Sequence, residues 1–148
     1  MTTEKADHGA VLRTAGLRVT SPRLAVLAVV DGRPHIAAED VAAEVRERLG
    51  AVSTQTVYDA LRVCTEVGLM RRIEPAGSPA RYERRTGDNH HHLVCRRCGR
   101  IEDVDCAVGH APCLHAENDH GFVIDEAEVM YWGACPECRA KDAALVAD

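Results

Sequence analysis

The sequence predicts an α+β chain of two domains, a helical unit that closes in a β-hairpin and a smaller strand-rich unit stapled by a metal. Three observations carry this. Apolar residues recur at helical spacing through the first half, and the period changes after Gly68. Two CxxC pairs, Cys95–Arg96–Arg97–Cys98 and Cys135–Pro136–Glu137–Cys138, stand 36 residues apart. The charge also divides: residues 1–84 carry 12 basic and 11 acidic groups, whereas residues 85–148 carry 6 and 12.

Helical spacing begins at Asp7–Ala15 and closes at Gly16. Thr20–Ser21–Pro22–Arg23 opens a second helix with a hydroxyl cap and a proline in the first turn, and the run ends near Asp31–Gly32. A third is signalled by Ala38–Glu39–Asp40 with Val41, Val45 and Leu49, ending at Gly50. A fourth starts at Ser53–Thr54–Gln55–Thr56 and runs through Val57, Ala60, Leu61 and Cys64 to Gly68. Leu69–Ile73 and Ala80–Arg84, around the breakers Pro75, Gly77 and Pro79, read as a hairpin. Helices followed by a hairpin is the order of a winged helix-turn-helix with Ser53–Val67 as recognition helix. Spacing alone leaves a generic helical domain open.

The domain boundaries follow: residues 1–84 form the winged-helix unit, 85–89 a polar hinge, and 90–148 the second unit. In the latter, His92–Val94, Gly99–Val104, Phe122–Ile124 and Ala127–Gly133 are expected to be extended, and Cys106–His120 helical in part. An odd count of seven cysteines, no segment resembling a signal peptide and no run of roughly 20 apolar residues favour a reduced, cytoplasmic protein that does not enter membranes. Few aromatic residues leave a thin core, for which metal and partner contacts are natural supplements. The near-balanced first half is compatible with nucleic acid, which responds to the local field of a face; the acidic second half suits divalent cations.

Two pairs of thiolates make a tetrahedral structural Zn²⁺ site from Cys95, Cys98, Cys135 and Cys138. Four unrelated core or disulfide cysteines are the bland alternative. Just before the first pair, Asn89–His90–His91–His92 supplies a second set of candidate ligands, with His90 and His92 on one face of a strand. Of the remaining cysteines, Cys64 falls on an apolar helix stripe and reads as core. Cys106 and Cys113 share a histidine-rich segment. No nucleophile–base constellation with a pocket emerges, so no enzymatic activity is expected.

Over nearly its full length the chain resembles the ferric uptake regulator family of bacterial metal-dependent repressors. The resemblance rests on Gly16–Arg23, Ser53–Leu61, Glu66–Leu69, Asn89–Gly99 and Tyr131–Cys138, in that order and spacing. Within the family it is most similar to actinobacterial regulators paired with catalase-peroxidase, chiefly in Gly87–His92 and Val104–Gly109.

The resemblance implies a homodimer that represses from palindromic double-stranded operators, controlling oxidative-defence (catalase) or iron-homeostasis genes. A zinc-responsive repressor of zinc uptake and a metal-handling protein that does not bind DNA are the alternatives. It assigns the four cysteines to structural zinc, and a regulatory metal to His35, Glu83, His90 and His92 with Asp103 as an extra oxygen ligand. Such a mixed N/O set suits Fe²⁺ or Mn²⁺, with Zn²⁺ possible. Thr54, Gln55 and Tyr58 are the groove-facing candidates, and Arg13, Arg18 and Arg23 the phosphate contacts.

Three departures stand out. Ala127, flanked by Glu126 and Glu128, replaces a histidine that many relatives use for another metal site, so that site is absent or draws on His91 and His110. Asp59 stands where some relatives have a base-reading arginine; it repels phosphate and can accept from cytosine N4. Glu83, where family peroxide sensors have aspartate, counts against direct peroxide sensing.

Overall fold

The computed structural model describes residues 7–84, 90–105, 115–125 and 127–146, the last four by backbone only. It divides into two compact units, Met1–Thr86 and Gly87–Asp148.

The first unit is built from capped helices. Asp7 accepts from the Ala10 amide to start α1 (His8–Thr14). Thr20 Oγ1 caps α2 (Ser21–Gly32) through the Arg23 amide at 3.3 Å. α3 (Ala38–Leu49) has no side-chain cap; Glu39 and Asp40 in its first turn and Arg46 and Arg48 in its last complement the helix dipole instead. Gly50, at φ +83, supplies the left-handed turn that ends it. α4 (Thr54–Glu66) begins at Ser53, whose Oγ accepts from the Thr56 amide at 3.1 Å. Removing that acceptor in Ser53→Ala should lower the unit's unfolding free energy by about 1 kcal/mol, measurable by urea denaturation.

α2 packs on both α3 and α4. Leu27, Val41, Val57 and Leu61 fill the core between them, and Leu12 of α1 closes it. Cys64 lies in the same core, where burial pushes its thiol pKa up, as a core cysteine requires. The hairpin is β2 (Arg71–Ile73) with β3 (Arg81–Glu83), each shorter than the sequence predicts. A strand that the sequence reading missed, β1 (Ile36–Ala37), pairs antiparallel with the other side of β3, giving sheet order β1–β3–β2. Helices α3 and α4 with this sheet are a winged helix-turn-helix.

In the second unit β4 (His90–Cys95) is central, antiparallel to β5 (Ile101–Asp105) and parallel to β6 (Met130–Gly133). Among the described residues the expected strand at Phe122–Ile124 finds no ladder partner, and Phe122 and Val123 are exposed. Of the expected strand Ala127–Gly133 only the last four residues pair. The expected partial helix at 106–120 is absent from 115–120, while 106–114 lie outside the described residues, as does the hinge 85–89. A helix not foreseen, α5 (Pro136–Val146), starts with proline in its first turn and is tied back by Arg100–Glu137 (2.7 Å) and Arg97–Asp142 ion pairs. Among the described residues no helix is long and apolar enough to cross a membrane.

Candidate metal centres and recognition helix

The ends of β4 and β6 bring the two CxxC pairs together. β4 delivers Cys95, the turn through Gly99 (φ +77) returns Cys98, and the chain leaving β6 supplies Cys135 and then Cys138 from the first turn of α5. All four sulfurs lie within 4.8 Å of one another, and Cys98 Sγ stands 3.7 Å from Cys135 Sγ. A ZnS₄ tetrahedron with bonds of about 2.3 Å has edges of about 3.8 Å, so the sulfur cage fits Zn²⁺.

The protonation chemistry agrees. Amide hydrogen bonds, first from Cys98 and then from Cys135, lower the Cys95 thiol pKa to about 6. Crowding by the Cys135 sulfur, together with burial, pushes Cys138 up to about 12. Four thiolates cannot share so small a space without a cation between them, and a divalent soft-tolerant ion resolves the conflict.

A second set of donors lies on β4 and β5 of the same unit. Antiparallel register sets His92 opposite Asp103, and the pleat turns His90 to the same face. The Nε2 atoms of His90 and His92 are 3.6 and 3.4 Å from Asp103 Oδ1, the rings meet edge-to-face at 4.9 Å, and both histidines are buried. His91 faces the other way, and its Nδ1 accepts from the Val129 amide at 3.3 Å. His110, named with it as a possible ligand of an additional site, and also Glu126, Cys106 and Cys113, lie outside the described residues.

The first unit has its own pair. His35 Nε2 is 3.1 Å from Glu83 Oε2, and Glu83 is fully buried. Their meeting depends on β1: pairing Ile36 with Tyr82 extends the register so that His35 reaches Glu83. His35 holds φ +65, a left-handed conformation uncommon for a side chain, and Arg81 Nη1 donates to its carbonyl at 3.3 Å. Imidazole and carboxylate donors in both sets fit a divalent metal of intermediate hardness.

On α4 the buried stripe Val57, Ala60, Leu61 and Cys64 turns Thr54, Gln55, Tyr58 and Arg62 to solvent. Thr54 is already engaged, since Arg46 Nη2 donates to its Oγ1 and Arg46 Nε to the Val52 carbonyl at 3.4 Å. Arg46 thus fixes the turn between α3 and α4, a role with no sequence signal beyond a basic residue near a helix end. Arg13 and Arg18 are exposed. Arg23 is half-buried and donates to the Arg18 carbonyl at 2.9 Å, so part of its donor capacity holds the turn before α2.

The comparisons agree with this architecture. A profile of the ferric uptake regulator family matches residues 14–131. The chain is 58% identical over 136 residues to the transcriptional regulator FurA of Mycobacterium tuberculosis, covering 92% of each chain. It is 59% identical over 133 residues to ferric uptake regulation protein 1 of Mycolicibacterium fortuitum, covering 90% of this chain and 83% of that one. Among solved structures, the ferric uptake regulator of Pseudomonas aeruginosa with manganese superposes with a TM-score of 0.65 at 27% identity, covering 88% and 98%. These relatives are regulators rather than enzymes, and the chain belongs to the ferric uptake regulator family of transcriptional regulators.

Proposed function

We propose that this protein is a metal-dependent repressor that binds palindromic operators as a homodimer, with oxidative-defence (catalase) or iron-homeostasis genes as its targets. The observation that carries the reading is one chain that pairs a winged helix, its α4 face open to solvent, with two sets of clustered metal donors. Cys95, Cys98, Cys135 and Cys138 hold structural Zn²⁺. His35 and Glu83 from the first unit join His90, His92 and Asp103 from the second around one regulatory ion, Fe²⁺ or Mn²⁺. Binding that ion selects the arrangement of the units that fits DNA. Leu93 and Tyr131, neighbours across β4 and β6 and about half exposed, offer apolar surface to a second copy. Two-fold symmetry then sets the palindrome.

The test is operator binding titrated with Fe²⁺, Mn²⁺ and Zn²⁺, each with and without peroxide. Iron and manganese should each raise operator affinity, with zinc effective at lower free concentration as the general order of divalent affinities requires; a response to zinc alone makes this a zinc-uptake repressor. No sequence preference with any metal leaves a metal-handling protein. Two substitutions separate base reading from phosphate contact. Tyr58→Ala should weaken operator binding about tenfold while scrambled duplex is bound as before, with metal content unchanged. Arg18→Ala should weaken both duplexes alike and flatten the salt dependence by about one unit of slope. Equal losses on both duplexes for Tyr58→Ala would remove Tyr58 from the groove.

A further inference from the structure

The polar side of α4 is organised as a ladder. Gln55 Nε2 donates to Asp59 Oδ1 at 2.9 Å, the same oxygen stands 3.8 Å from Arg62 Nη2, and Arg62 Nη1 donates to Glu66 Oε1 at 3.1 Å. These are i,i+4, i,i+3 and i,i+4 neighbours on one helix surface. We infer that Asp59 is a positioning residue that orients the Gln55 amide to read an adenine, and that this pair sets part of the operator's base preference. The inference rests on the reading of α4 as the helix that enters the major groove.

The orientation follows from hydrogen-bond chemistry. A carboxylate has no proton to donate, so the Gln55 amide must turn its nitrogen toward Asp59. One N–H is then engaged, which leaves one N–H and the Oε1 acceptor for a partner. Adenine presents the complementary pair in the major groove, the N6 donor and the N7 acceptor, and glutamine matches both at once. Guanine presents two acceptors, N7 and O6, and a glutamine with one N–H engaged has a single donor left for them. Gln55 stands in the first turn of α4, the part of a recognition helix that meets base edges.

The rest of the ladder supports this assignment. Arg62, the one cation on this stretch of α4, lies between Asp59 and Glu66, so it is restrained from competing for guanine. Asp59 Oδ1 is committed within the helix, which makes Asp59 a partner for Gln55 before it is a reader of cytosine.

The experiment uses the full chain loaded with Mn²⁺. A random duplex library first yields the preferred sequence, and binding to duplexes with single A·T→G·C changes then gives the discrimination at each position, at fixed salt. Gln55→Ala and Asp59→Ala should each lose about tenfold of discrimination at the same A·T position, and the double variant should lose no more than either. Scrambled-duplex affinity of Asp59→Ala should hold or rise, because a negative charge near phosphate is gone. Asp59→Asn, whose Oδ1 still accepts from the amide, should recover part of the discrimination.

An Asp59→Ala chain that gains affinity for every duplex with its discrimination unchanged overturns the inference, since Asp59 is then only a charge. So does a loss at a position that Gln55→Ala does not share. A wild-type chain that selects no sequence from the library removes the repressor reading itself, and the inference with it.

Discussion

Cys95→Ser should give a chain without tightly held zinc whose second unit is unfolded and whose first unit persists. The reason lies in how little apolar material the second unit buries. Among its described residues the buried hydrophobics are Val94, Cys95, Ile101 and Cys138, and two of these are the proposed ligands. Structural zinc in small domains binds with an apparent free energy of about 10–16 kcal/mol, which is folding free energy when no site exists in the unfolded chain. Serine keeps the volume but supplies a hard oxygen of high pKa in place of a thiolate.

The chain carries its own reporter for this experiment. Trp132, its single tryptophan, sits in β6 with the Arg96 guanidinium 5.7 Å from its ring centroid. Its emission should shift to the red in Cys95→Ser. Far-UV circular dichroism should retain the signal of α1 to α4, whose core contains no cysteine beyond Cys64. Elemental analysis completes the test, and a zinc-free variant with native Trp132 emission would falsify the structural role.

Much of the first unit is legible in the sequence because its signals are local. Thr20 and Ser53 announce helix starts through side-chain oxygens that reach amides three residues on, and Gly50 marks an end that only a left-handed turn completes. The CxxC spacing is local in the same sense. What escaped depends on contacts distant in sequence. β1 is two residues long and exists only because β3 offers a free edge, so neither periodicity nor propensity shows it. The His35–Glu83 contact rests on that strand, 48 residues apart in the chain, and without the family resemblance His35 is one histidine among eight.

The errors in the second unit have the converse cause. Phe122–Val123–Ile124 has the composition of a strand, but composition does not provide a neighbour, and among the described residues no ladder forms on it. α5 is absent from the sequence reading, although Pro136 in the first turn and the alanines after it are helix signals. Asp59 shows the limit most clearly. Its identity pointed to base contact or phosphate repulsion, whereas its geometry makes it a partner of Gln55.

His92→Ala should abolish the metal response of operator binding while leaving structural zinc in place. His92 is fully buried at mid-strand, opposite Asp103 in the β4–β5 register, and its ring meets that of His90 at 4.9 Å. Of the five proposed ligands, alanine removes one imidazole and leaves the second unit with only His90 and Asp103. Loss even of residues that only support a metal ligand lowers affinity by about 10–100-fold, and loss of a ligand should cost at least as much. The sulfur cage lies at the other end of β4, at Cys95, so zinc content and Trp132 emission should stay as in the wild type. His115→Ala, in an exposed segment, is the control and should respond to metal normally. The measurement is operator affinity across a Mn²⁺ titration for the three proteins, with zinc counted in each. An unchanged midpoint in His92→Ala would take this strand out of the regulatory site. A simultaneous loss of zinc would instead show that the two metal centres depend on each other through β4.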